Sequence, residues 1–137
     1  MGILWAFFAS GSFGIIFNVR GKDIPLAASG GGLGWFVYSL VSNFGPNEGV
    51  SYFLSAIAIA LFAEIVAAFS RRPATTYLVC ALIPLVPGGG MYYTLAESLK
   101  GDLQGTLLIG FNTLTIAGAL AAGVAIGSAI ARLAKRL

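Results

Sequence analysis

The sequence predicts an all-α integral membrane protein: a bundle of five transmembrane helices, the fourth broken at a Pro/Gly element near the bilayer midplane. Three observations carry that expectation. Of the 137 residues, 58% are hydrophobic and only 9% are charged, whereas a soluble domain carries about 25% charged residues. Mean hydropathy is +0.90. Five apolar stretches approach the ~20 residues that a helix needs to cross hydrocarbon, and the fourth contains Pro84, Pro87 and the triplet Gly88-Gly89-Gly90. With so few charges the chain cannot cover a water-facing surface, so residues 1–137 read as a single transmembrane domain.

The first span is expected from Ile3 to Val19. No basic region precedes it, so it reads as a retained helix and not as a cleaved signal peptide. Asn18 stands at its inner end, as a helix cap would. The second span runs from Ile24 to Ser42 and carries Ala28, Gly30, Gly32 and Gly34. The third runs from Val50 to Phe69, the fourth from Thr75 to Glu97, and the fifth from Leu103 to Ala131, long enough to tilt. Small residues recur at four-residue steps in the fifth (Ala119, Gly123, Gly127, Ala131) and in the first (Ser10, Gly14). Such spacing lines one helix face and lets two backbones approach closely.

The connections carry most of the charge. Five crossings place Arg20, Lys22, Arg71, Arg72, Arg132, Lys135 and Arg136 on one side, seven of the eight basic residues, with Lys100 opposite. The positive-inside rule makes that side cytoplasmic, with the N-terminus outside and the C-terminus inside. A four-span arrangement with a re-entrant fourth segment would put Arg132, Lys135 and Arg136 opposite the other basic residues. Trp5, Phe44 and Tyr52 fall near the outer boundary, where aromatic belts sit. Trp35 falls mid-span and is expected to pack against a neighbour.

Several classes drop out early. There is no histidine and a single cysteine, Cys80, so neither an intrachain disulfide nor a Cys/His metal set can form. No cofactor is expected, and Cys80 reads as a small buried hydrophobe. A net charge of +3 is too small to suggest nucleic acid. An intramembrane enzyme is disfavoured because Glu64 is the one ionisable residue well inside a span.

The fourth span bears most on function. Proline lacks an N–H and clashes with the preceding turn, and glycine loses the most backbone entropy in a helix. Lipid cannot hydrogen-bond the groups that such a break frees, so it is tolerated where it is buried in protein or lines a wet cavity. At 1.5 Å per residue Pro84 lies roughly 13 Å in from Thr75, near the middle of a ~30 Å core. Pro84, Pro87, Gly88, Gly89 and Gly90 are therefore candidate substrate-pathway residues, with a new half-helix expected near Met91. Tyr92 and Tyr93 follow at once. Asn112, beside Thr113 and Thr115 in the outer half of the fifth span, is a further candidate, set against a simple interhelical hydrogen bond. Glu64 either carries a coupling proton or forms an ion pair at the inner face, with Arg71 and Arg72 about two turns away.

The run Phe8 through Ser10-Gly11-Ser12-Phe13-Gly14-Ile15-Ile16-Phe17-Asn18-Val19, the Arg71-Arg72-Pro73 step, and Ile83-Pro84-Leu85-Val86-Pro87-Gly88 followed by Tyr92 resemble the small subunit of the threonine/serine exporter family. The Gly88–Gly90 triplet is looser than in many members. The resemblance implies export of small amino acids across the bacterial inner (cytoplasmic) membrane, driven by an ion gradient. It also implies a larger multi-span subunit as partner, because split pairs in the family divide what fused members carry in one chain. Such a pair has also been proposed to export succinate. Two five-span halves in opposite orientations would meet at a midplane site, as inverted repeats do in many secondary transporters. The rival reading is a homo-oligomeric channel, with the broken helix as its constriction.

Overall fold

The computed structural model describes residues 1–45 and 47–135. These form six α-helices and one short 3-10 turn, with no strand among the described residues. Arg136 of the basic tail lies outside them. The helices are α1 (Gly2–Ile16), α2 (Asp23–Asn43), α3 (Glu48–Ser70), α4 (Ala74–Leu82), α5 (Gly88–Lys100) and α6 (Leu103–Ala134), with the 3-10 turn Ile83–Leu85 after α4.

Local chemistry sets the helix ends. Asn18 takes a left-handed φ of 62°, and its N–H bonds Ile15 O while that of Val19 bonds Gly14 O. This is a Schellman closure, with asparagine in the position that tolerates the left-handed backbone. Gly101, at φ 79°, closes α5 in the same way, with Asp102 N–H on Glu97 O. Asp102 then caps α6 by accepting from Gly105 N–H at 3.0 Å. Asn47 caps α3 by accepting from Gly49 N–H at 3.2 Å.

Three helices, α2, α3 and α6, are long and apolar enough to cross a membrane, and α4 with α5 qualifies as a bent pair. That is three or four spans by length and composition, against the five expected. The shortfall is α1. The Asn18 turn stops it at Ile16 and not at Val19, and its 15 residues reach about 22 Å against a ~30 Å core.

The small-residue faces build the packing. The most extensive interface joins α3 to α6, followed by α1 with α2. A Cβ on Gly123 would stand 2.5 Å from Phe53 O, and one on Gly127 would stand 2.7 Å from Ala60 Cβ. Ala131 extends the buried seam. On α2, Gly31 lies against Ser10 of α1, Gly30 against Ala81 and Phe62, and Gly34 against Ile59 and Leu85. The glycines thus let α2 serve α1 on one side and α3 and α4 on the other.

Two apolar clusters result. One gathers Val19, Ala27, Ala63, Val66, Ala67, Tyr77 and Cys80; the other gathers Ala56, Ile59, Ala81, Leu85, Ile116 and Leu120. Cys80 is fully buried in the first, as a hydrophobe would be. Trp35 is partly buried against the second cluster and packs on Tyr38 with ring centroids 5.5 Å apart.

Candidate functional site

The fourth apolar stretch is interrupted over Ile83–Pro87. Helix α4 ends at Leu82, the 3-10 turn follows, and Val86 is extended at φ −61°, ψ 129°. Pro87 then turns the chain at φ −76°, ψ 55°, and Gly88 N–H bonds Val86 O at 2.7 Å across it. Helix α5 leaves at 52° to the first half. Pro84 supplies no N–H to the turn four residues back, and Pro87 supplies none to the next. The interruption follows from those two residues.

The glycine triplet takes a different role from the one expected. Gly88–Gly90 are not unwound; they form the first turn of α5, which starts at Gly88 instead of near Met91. The first-turn N–H groups of any helix lack intrahelical acceptors, so Pro87 ahead of them loses nothing by having none. Only Gly90 is sterically required there, because a Cβ on it would collide with Thr113 Oγ1 of α6. Gly88 and Gly89 face open space. The α5–α6 contact continues with Thr94 against Gly110, while Thr94 Oγ1 donates to Gly90 O at 2.7 Å.

The other predicted residues do not all converge on the break. Pro84 borders an apolar cavity of about 320 Å³ lined by Gly2, Trp5, Ala6, Ala9 and Trp35, and Leu85 is buried in the bundle. Tyr92 and Tyr93 are exposed, edge to face, with centroids 5.4 Å apart. No residue of α5 is buried. Asn112 is exposed and lines a shallow groove with Gln104, Leu107, Leu108, Phe111 and Thr115. Its neighbour Thr113 is the residue that meets the α5 start. Sequence reasoning placed Thr113 in the right half of the span without assigning it to the break. The signal was a small β-branched residue opposite a glycine.

Glu64 is nearly buried, but its ion-pair partner is not Arg71 or Arg72. Lys135 Nζ stands 2.7 Å from Glu64 Oε2, and Arg132 Nε stands 4.0 Å from Oε1. Arg71 instead takes a left-handed φ of 54° at the end of α3. Arg72 approaches Asp23 Oδ2 at 3.4 Å. Asp23 also accepts a 2.7 Å hydrogen bond from the hydroxyl of Tyr77, a fully buried side chain. A buried tyrosine hydroxyl needs such a partner. This tie between the start of α2 and the first half of the broken helix was missed. An acidic residue directly after Arg20 and Lys22 was the available hint.

These contacts bring Arg20, Arg72, Arg132 and Lys135 to one end of the bundle, around two neighbouring cavities. Four of the basic residues that loop charge grouped, Arg20, Arg72, Arg132 and Lys135, thus lie together. The arrangement is a membrane-type bundle with one interrupted helix and a basic end. No solved structure matches the chain. The family model described as threonine/serine exporter, ThrE, matches residues 2–130, nearly the whole chain, and the protein belongs to that family.

Proposed function

We propose that the chain is the small, five-crossing subunit of a secondary transporter that exports threonine and serine, or a dicarboxylate such as succinate, from the bacterial cytoplasm. Helices α2, α3, the α4–α5 pair and α6 make four crossings, and the shorter α1 makes the fifth with the bilayer thinned around it, the basic end and the C-terminus being cytoplasmic. A larger multi-span subunit of opposite orientation completes the pathway. The observation that carries this reading is the interruption at Ile83–Pro87 in an exporter-family chain. Between two half-helices, backbone groups lose their helical partners and become available to a solute, and the start of α5 brings a positive dipole end that favours a carboxylate. Pro84, Pro87, Gly88, Gly89 and Gly90 form that site, with Tyr92, Tyr93 and Asn112 toward the partner and Glu64 near the inner mouth.

The test is efflux from cells preloaded with labelled threonine, serine or succinate, with and without the chain and its partner. Export is expected to saturate, to collapse when the ion gradient is dissipated, and to fall in Pro87→Ala/Gly88→Leu while the protein still reaches the membrane. Undiminished export by that variant would reduce the break to a kink. Flux that neither saturates nor needs a gradient would make the protein a pore.

A further inference from the structure

The basic end holds a cavity that the interrupted helix does not explain. It has a volume of about 440 Å³, opens between α3, α4 and α6, and is lined by Glu64, Arg72, Thr75, Ser128, Arg132 and Lys135 over a wall of alanines. That volume lies in the roughly 300–1,000 Å³ range of small-molecule sites. Three cations face Glu64 in the lining, and Arg72 is also approached at 3.4 Å by Asp23 just outside it, so three basic and two acidic side chains leave a formal surplus of one positive charge. Helix α4 begins in the same wall without a side-chain cap, which adds a positive dipole end. The Glu64 side chain is 12% exposed, and its carboxylate is held by Lys135 on one oxygen and more loosely by Arg132 on the other. Lys135 is itself about half exposed, and Arg132 mostly so.

A site for a simple anion gains nothing from a carboxylate at its centre, because Glu64 repels phosphate and carboxylate alike. A site for a zwitterion needs both signs within one cavity. We propose that this cavity binds the head group of a small hydroxylated amino acid at the basic end of the bundle. The ligand carboxylate lies on Arg72 and Arg132. Its ammonium displaces Lys135 Nζ from Glu64, and the freed Lys135 ammonium turns to the ligand carboxylate, so each charge keeps a partner. Thr75 and Ser128 offer hydroxyls to the ligand's own hydroxyl, and the alanine wall meets its carbon skeleton. The choice of ligand rests on the exporter reading; the site itself rests on the charge pattern of the cavity.

The experiment is equilibrium binding of radiolabelled L-threonine to the full chain in nanodiscs of phosphatidylcholine, beside efflux from cells carrying the same variants. Threoninol, which lacks the carboxylate, and 3-hydroxybutyrate, which lacks the ammonium, should compete poorly. Arg72→Gln/Arg132→Gln should weaken threonine binding about tenfold or more, as expected for a lost charge-assisted hydrogen bond. Glu64→Gln should bring threonine and 3-hydroxybutyrate to similar affinity. Lys22→Gln, which removes a charge outside the cavity lining, should change nothing. Circular dichroism and gel filtration verify that each variant is folded.

The proposal is overturned if the folded chain does not bind threonine, if the arginine variants bind as the parent does, or if threoninol competes fully. It is also overturned if phosphatidylglycerol in the nanodiscs abolishes binding that excess threonine cannot restore, since the cavity would then hold a lipid phosphate. If binding follows the predicted pattern but no solute is exported, the exporter reading fails and the site stands. If export persists unchanged in the arginine variants, the site fails and the exporter reading stands.

Discussion

Lys135 Nζ lies 2.7 Å from Glu64 Oε2 and 3.3 Å from the Glu64 backbone oxygen, joining residues 71 apart in the sequence. One ammonium thus neutralises the single acidic residue in the body of α3 and bonds a carbonyl of the same helix. It also pins the end of the long helix α6 to α3 at the point where their glycine seam runs out. The pair sits at the bundle's basic end, half open to its surroundings, and its strength is correspondingly moderate.

Lys135→Met leaves Glu64 with Arg132 alone at 4.0 Å. Thermal unfolding in detergent should show a loss of about 1 kcal/mol, the scale of a partly exposed pair. Raising the salt concentration should shrink the difference between parent and variant. A variant as stable as the parent at low salt would show that the pair contributes nothing.

Gly123→Leu and Gly127→Leu should disrupt the α3–α6 seam, because their side chains would meet Phe53 O and Ala60 Cβ within 2.5–2.7 Å. Overpacking of this kind costs about 1–3 kcal/mol or more. Gly118→Leu, with nothing near its Cβ position, is the matched control and should be close to neutral. The yield and melting temperature of the three variants in detergent give the comparison. Equal tolerance at all three positions would mean that α6 does not pack on α3 as described.

Gly90→Ala should be destabilising while Gly89→Ala is neutral or stabilising by roughly 0.5–1 kcal/mol, since alanine is the better helix residue wherever there is room for it. Thr113→Ala should recover part of the Gly90→Ala loss by removing the colliding Oγ1. A double-mutant cycle on unfolding measures this coupling, and strictly additive effects would separate the two residues.

Tyr77→Phe should cost about 1–3 kcal/mol, because it strips the nearly buried Asp23 of a 2.7 Å hydrogen bond. Asp23→Asn should cost a similar amount and also release Arg72. The double variant should lose less than the sum of the two. Hydrogen exchange at the start of α4 should rise in each single variant, and unchanged exchange would show that Asp23 does not hold the first half of the broken helix.

Much of the fold is readable from one dimension. The proline pair Pro84 and Pro87 sets where the fourth stretch is interrupted, because a missing N–H has the same local effect in any fold. The four-residue recurrence of Gly123, Gly127 and Ala131 marks the seam of α6, because helical spacing is also local, although Leu120 and not Ala119 continues the buried face. The distribution of Arg20, Arg72, Arg132 and Lys135 marks the basic end through loop order alone.

Partnership was left to the tertiary structure. Spacing cannot say that Glu64 meets Lys135 and not Arg71, that Thr113 and not Asn112 faces Gly90, or that Tyr77 donates to Asp23 54 residues away. Nor can it say that Gly88–Gly90 begin a helix and do not extend a break. Each of those outcomes depends on how helices rotate and dock, a balance summed over many weak contacts between distant segments. Local rules see where a helix stops; only the packed bundle decides what each side chain then faces.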